Sequence, residues 1–140
     1  MAIKMRVLYA SGKAKIAAMA ALIQSEYGLA INAVDKIPPA YSCDKERLVI
    51  LMLSLKGTPD DQLRLFCREL NKGRAQNVAL IVDGSESAAA QIKSILTEAG
   101  THVADEILYV KGGLPFLKGI KEEEKTALLA FTHRIVDQIQ

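Results

Sequence analysis

Residues 48–53 read Leu48-Val49-Ile50-Leu51-Met52-Leu53, and Ser54-Leu55-Lys56 then lead into Gly57-Thr58-Pro59-Asp60-Asp61. A strand turns successive side chains to opposite faces, so an unbroken apolar run leaves no polar face for water. Such a run reads as the central strand of a parallel sheet covered by helices on both sides. The segment behind it reads as a helix start, with Thr58 as N-cap, Pro59 as the first helical residue and Asp61 as the capping-box acid. Leu63, Phe66, Cys67 and Leu70 then fall on one helical stripe, and 71–76 is a polar turn around Gly73.

The same alternation extends in both directions. Upstream, Met5 to Ala10 reads as a strand, and a helix follows from about Gly12 to Tyr27. Ile16, Met19, Ala20, Ile23 and Tyr27 share one face of that helix, and Gly28 stops it. Ala30 to Val34 is a short second strand, and Asp35 to Glu46 is a loop, since Pro38-Pro39 forbids a regular helix there. Downstream, Val78 to Val82 is a strand broken by Asp83-Gly84-Ser85. A helix carrying Ala88, Ile92, Ile95, Leu96 and Ala99 ends at Gly100, and a fifth strand runs from about His102 to Val110. Gly112-Gly113 and Pro115 make a loop. The last helix spans about Glu122 to Ile139, aligning Leu128, Phe131, Thr132, Ile135 and Ile139. Its opening glutamates, Glu122 to Glu124, suit the positive end of the helix dipole.

Strands alternating with helices make an α/β domain over 1–140, with a five-stranded parallel sheet of order 2-1-3-4-5 and helices on both faces. In that order the first and third strands flank the switch point, where open α/β sheets bind ligands beyond the carboxyl ends of the strands. Three loops meet there: Ser11 to Ile16, Ser54 to Thr58, and Asp83 to Ser87.

Composition narrows the function. Net charge is +2 with 24% charged residues, which argues against a nucleic-acid partner. No apolar run approaches a membrane span, and no secretion signal opens the chain, so the expected compartment is the cytoplasm. The two cysteines make neither a disulfide framework nor a C-x-x-C pair. Cys67 is expected buried and inert on its helix, whereas Cys43 falls in a loop where a thiol can be exposed. His102 and His133 lie away from the functional edge, and no His/Cys cluster has metal-ligand spacing. Asp60 and Asp61 read as helix-start residues rather than an acid–base pair.

Tyr9-Ala10-Ser11-Gly12, with Met19-Ala20 and Leu22-Ile23 behind it, resembles the start of a flavodoxin. Gly57-x-Pro59 after the apolar third strand is similar to that family's second flavin loop. Lys72-Gly73 before Val78-Ala79-Leu80-Ile81 resembles its fourth strand, and Leu96, Ala99-Gly100 and Val103 its closing turn. The resemblance implies a flavodoxin-like three-layer sandwich that binds FMN and carries electrons. It implies phosphate contacts from Ser11, Gly12, Lys13 and Lys15, and a ring bordered by Ser54, Leu55, Lys56, Gly57, Asp83, Gly84 and Ser85.

The site departs from the family pattern. Lys13, Ala14, Lys15 and Ile16 stand where flavodoxins prefer Thr, Gly, Asn and Thr, so hydroxyl donors are replaced by two ammonium groups. Two cations in a first helical turn oppose the dipole, which suggests that something negative binds there; the alternative is two solvated lysines. Flavodoxins stack the ring on aromatics in the loops after strands three and four, and here those loops hold none. Leu55 is left to cover one ring face, with Tyr109 or Tyr41 approaching from outside. Flavodoxins are also typically acidic, unlike this chain. The expected function is therefore an FMN-binding electron-transfer protein with a weakened site. The alternative is a flavin-free binding or interaction module that takes another phosphate-bearing small molecule. A response-regulator receiver shares the topology, with Lys111 at the end of its fifth strand, but its required acids are replaced by Ser11-Gly12 and Ser54-Leu55. P-loop and G-x-G-x-x-G motifs are absent.

Overall fold

Glu46–Ser54 forms the central strand of the sheet, and the rest of the fold is arranged on it. In a computed structural model, residues 4–28, 31–113, 116 and 119–139 are described. The expectations for Met1 to Ile3, Ala30 and Pro115 lie outside them. The elements in chain order are β1 (Met5–Ala10), α1 (Ala14–Tyr27), β2 (Ile31–Lys36), β3 (Glu46–Ser54) and α2 (Asp61–Glu69). They continue as β4 (Ala75–Asp83), α3 (Glu86–Ala99), β5 (His102–Tyr109) and α4 (Glu122–Gln138). The five strands pair in the order β2-β1-β3-β4-β5, all parallel. No described helix is long and apolar enough to cross a membrane.

The apolar run in β3 is buried on both sides, as its composition demands. Leu48, Ile50 and Met52 join Ile16, Met19, Leu128 and Phe131 beneath α1 and α4. Val49, Leu51 and Leu53 face the other way, against Leu63 and Cys67 of α2 and Ile92 and Leu96 of α3. Residues 48–53 are all fully buried, and each apolar side chain so removed from water contributes about 1.5–3 kcal/mol.

Several boundaries differ from the sequence reading, each for a local reason. Helix α2 is capped by Asp60, not Thr58: the Asp60 carboxylate accepts from the Leu63 N–H at 2.8 Å, while Asp61 becomes the first helical residue and pairs with Arg64. Helix α1 begins at Ala14, so Lys13 is its extended N-cap rather than a first-turn residue. Strand β4 begins at Ala75 because Ala75 pairs with Glu46, although Gln76 and Asn77 are polar. Strand β2 runs on to Lys36 beside Tyr9.

The connection 37–45 contains no helix, as the adjacent prolines require. Cys43 is buried, although its loop position left exposure open. The buried Arg6 of β1 draws the loop down, donating to the Tyr41 carbonyl at 2.7 Å and to the Cys43 Sγ at 3.7 Å.

Candidate functional site

Strand register sets the core of the site before any side chain is considered. Ala10 of β1 stands beside Leu53 of β3, and Ser54 stands beside Asp83 of β4. Ser11, Ser54 and Asp83 therefore leave neighbouring strand ends in one row. A cleft of about 660 Å³ opens there, lined by residues 10–13, 54–56, 58–60, 63 and 83–84. Its lining combines the apolar residues Leu55, Pro59 and Leu63 with the hydroxyl residues Ser11, Ser54 and Thr58 and with Lys13 and Lys56.

The polar row is a directed chain of hydrogen bonds. The Lys13 backbone N–H donates to Ser11 Oγ at 3.0 Å. Ser11 and Ser54 hydroxyls lie 2.8 Å apart, Ser54 donates to Asp83 Oδ2 at 3.2 Å, and the Lys13 ammonium donates to the same oxygen at 2.6 Å. An ionised carboxylate only accepts, so Ser54 spends its proton on Asp83 and Ser11 must spend its own on Ser54. Burial pushes the Asp83 carboxyl pKa up. The Lys13 ammonium, the Gly112 N–H and the Ser54 hydroxyl outweigh that and leave it below the ordinary carboxylate value. Both members of the ion pair are largely buried, Lys13 at 22% and Asp83 at 16% side-chain exposure, so it is screened less than a surface pair.

Gly112 roofs this pair. A Cβ built on it would stand 2.5 Å from Asp83 Oδ2 and 2.5 Å from Lys13 Cδ. The loops after β1, β4 and β5 thus converge on one carboxylate. The loops after β3 and β4 are also joined to each other: the Leu55 N–H donates to the Asp83 carbonyl at 2.8 Å, and a Cβ on Gly84 would lie 2.6 Å from the Leu55 carbonyl oxygen.

Of the residues singled out in the sequence, Ser11, Gly12, Lys13, Ser54, Leu55, Lys56, Asp83 and Gly84 line the cleft. Gly57, Ser85 and Lys15 do not. Gly57 makes the turn before α2 with φ of 67°, and Ser85 caps α3 by accepting from the Ala88 N–H. The Lys15 ammonium is bound to Glu124 Oε2 at 2.6 Å, tying the start of α1 to that of α4. That contact, with the Lys121 N–H on the other oxygen, lowers the Glu124 pKa. None of the chain's four Tyr and three Phe lines the cleft; Tyr41 and Tyr109 are exposed elsewhere. Sequence reasoning missed Asp60 and Leu63 as lining residues, and Gly112 as the roof. The only signal for Gly112 was a glycine pair following the fifth strand.

No cluster of His, Cys, Asp and Glu fit to hold a metal occurs among the described residues. His102 is exposed on β5. His133, exposed on α4, bonds to Glu26 and Tyr27 rather than to the cleft.

No family model matches the sequence, and no curated protein matches it. Among solved structures, a short-chain flavodoxin associated with a PDU bacterial microcompartment superposes with a TM-score of 0.65, 15% identity and full coverage of both chains. A flavodoxin from the domain Archaea superposes with a TM-score of 0.62, 14% identity, and 98% of this chain covering 99% of that one. With the strand order 2-1-3-4-5 and the cleft at its switch point, these likenesses give the chain a flavodoxin-like fold.

Proposed function

We propose that the chain is a flavodoxin-like protein with a weakened ligand site, taking a phosphate-bearing small molecule in the cleft beyond β1, β3 and β4, with FMN as the first candidate. The carrying observation is the cleft itself. It stands at the switch point, holds about 660 Å³, and is lined by apolar residues together with hydroxyl residues and two lysines. That suits a ligand with one flat apolar part and one anionic end. Ser11, Gly12 and Lys13, at the start of α1, are the groups to hold the phosphate, joined by the exposed Lys56. Leu55, Pro59 and Leu63 are the groups to face a ring.

The fit is partial. Space and apolar lining suit FMN, but no aromatic stacks on the ring, and the hydroxyl protons of Ser11 and Ser54 already serve Asp83. Bound there, the flavin would supply one-electron and two-electron redox chemistry; the protein supplies position and electrostatics. Titration of the purified chain into FMN, followed by flavin fluorescence and visible absorption, tests the reading. Quenching or a spectral shift at micromolar concentrations supports it, and an unchanged spectrum refutes it.

A second reading, a flavin-free binding or interaction module, is favoured by the join between the loops after β3 and β4. Flavodoxins seat the ring between those loops, and here Leu55 and Asp83 are hydrogen-bonded across the gap. Saturable binding of a phosphate ester with no binding of riboflavin would support this reading over the first.

A further inference from the structure

The cleft already contains an anion, and it belongs to the protein. The Asp83 carboxylate accepts from the Lys13 ammonium, the Ser54 hydroxyl and, through Ser54, the Ser11 hydroxyl. The nearby Gly112 backbone N–H also favours its charged form. These are the kinds of donor that a phosphate needs: an ammonium and two hydroxyls. The Ser11 oxygen that remains accessible offers a lone pair, not a proton, since its own proton is given to Ser54 and it accepts from the Lys13 N–H. A phosphate approaching this row therefore meets acceptors and a like charge.

We infer that Asp83 is an internal competitor for the anion site: it occupies the Lys13 ammonium and the Ser11 and Ser54 protons, and so sets the affinity of the cleft for anionic ligands. The inference rests on the proposed reading that the cleft takes a phosphate-bearing ligand, and it identifies the residue that weakens the site. A ligand must break the Lys13–Asp83 contact and reverse the hydroxyl chain before it gains those donors. Removing the carboxylate charge releases Lys13 and frees the chain. A merely structural role for Asp83 predicts the opposite, because damaging a site lowers affinity.

The test compares the wild-type chain with Asp83→Asn, which keeps the side-chain shape. Binding of FMN and of inorganic sulfate, which stays fully charged across the working pH range, is measured by fluorescence and by calorimetry. Asp83→Asn is expected to bind both about ten- to a hundredfold more tightly, the range set by one charge-assisted competitor. Adding Lys13→Met to Asp83→Asn is expected to abolish the gain. Asp83→Ser repeats the comparison should the Asn variant lack the native circular dichroism spectrum. Equal or weaker binding by the natively folded variants overturns the inference, and so does absence of binding in every protein tested. A wild-type chain that binds FMN no less tightly than Asp83→Asn leaves the proposed ligand in place and removes only the competitor. Binding by Asp83→Asn alone establishes the competitor and ends the FMN reading for the wild-type chain.

Discussion

Replacing Gly112 by alanine tests the packing of the polar row without touching any of its charged groups. Gly112 does not have a positive φ, so the backbone accepts alanine and the whole effect is steric. The new Cβ would stand 2.5 Å from both Asp83 Oδ2 and Lys13 Cδ. Each atom must retreat by roughly 1 Å to reach ordinary contact. Both belong to side chains rather than backbone, so they can move, but moving them apart strains a part-buried 2.6 Å ion pair. Overpacking of this kind costs about 1–3 kcal/mol. The mobility of the neighbours puts Gly112→Ala in the lower half, at about 1–2 kcal/mol, or roughly 3–8 °C in Tm for a chain of this size.

Urea unfolding at pH 7 measures the loss, and repeating it at low pH identifies its source. The folded Asp83 pKa lies below its ordinary value. Its contribution to stability is therefore complete above the ordinary carboxylate range and is lost as pH falls through the folded value. The wild-type chain loses the pair in acid, whereas the alanine variant has little left to lose, so the gap between them narrows as pH falls. A variant within about 0.3 kcal/mol of wild type at pH 7, or a gap that widens in acid, refutes the reasoning.

Asp60→Ala removes the cap of α2 and is expected to cost about 1 kcal/mol, read as a lower urea midpoint with an unchanged slope. Glu124→Gln removes the partner of Lys15 and is expected to cost about 1 kcal/mol at pH 7. Because the Glu124 pKa is lowered, that cost should fade as pH drops through its folded value, and an equal cost at pH 3 and pH 7 would contradict the pairing. Burial lifts the Cys67 thiol to about 12 and raises that of Cys43, so a thiol reagent at pH 8 should label neither until denaturant is added. Rapid stoichiometric labelling of the native chain would show that one of them is accessible.

The sheet was legible because its signals are local. Residues 48–53 carry their own statement that both faces are covered, and Gly28 and Gly100 mark helix ends in the chain itself. The cap of α2 was misread because Thr58, Asp60 and Asp61 are all competent caps within four positions, and the Asp60 carboxylate is the one that reaches the Leu63 N–H. The two lysines were legible as cations at a helix start but not as members of ion pairs. Their partners lie 70 and 109 residues away, and no spacing rule connects them. Burial of Cys43 likewise depends on Arg6, a residue on another strand. Gly112 shows the same limit: a glycine pair reads as a turn, and its closeness to Asp83 exists only after five strands are in register.

The join between Leu55 and the Asp83–Gly84 segment bears on how this chain could be re-engineered or could have diverged. A flat ring seated between two loops needs them roughly 7 Å apart, twice the ~3.5 Å contact distance of carbon atoms. At Gly84 a single added carbon would already stand 2.6 Å from the Leu55 carbonyl oxygen, and that oxygen belongs to backbone that cannot rotate aside. An aromatic substituted at Gly84 would thus strike the opposite loop instead of lining a slot. Only added chain length after β3 or β4 would part the loops, so the route to or from a ring-stacking site runs through insertion and deletion rather than point mutation.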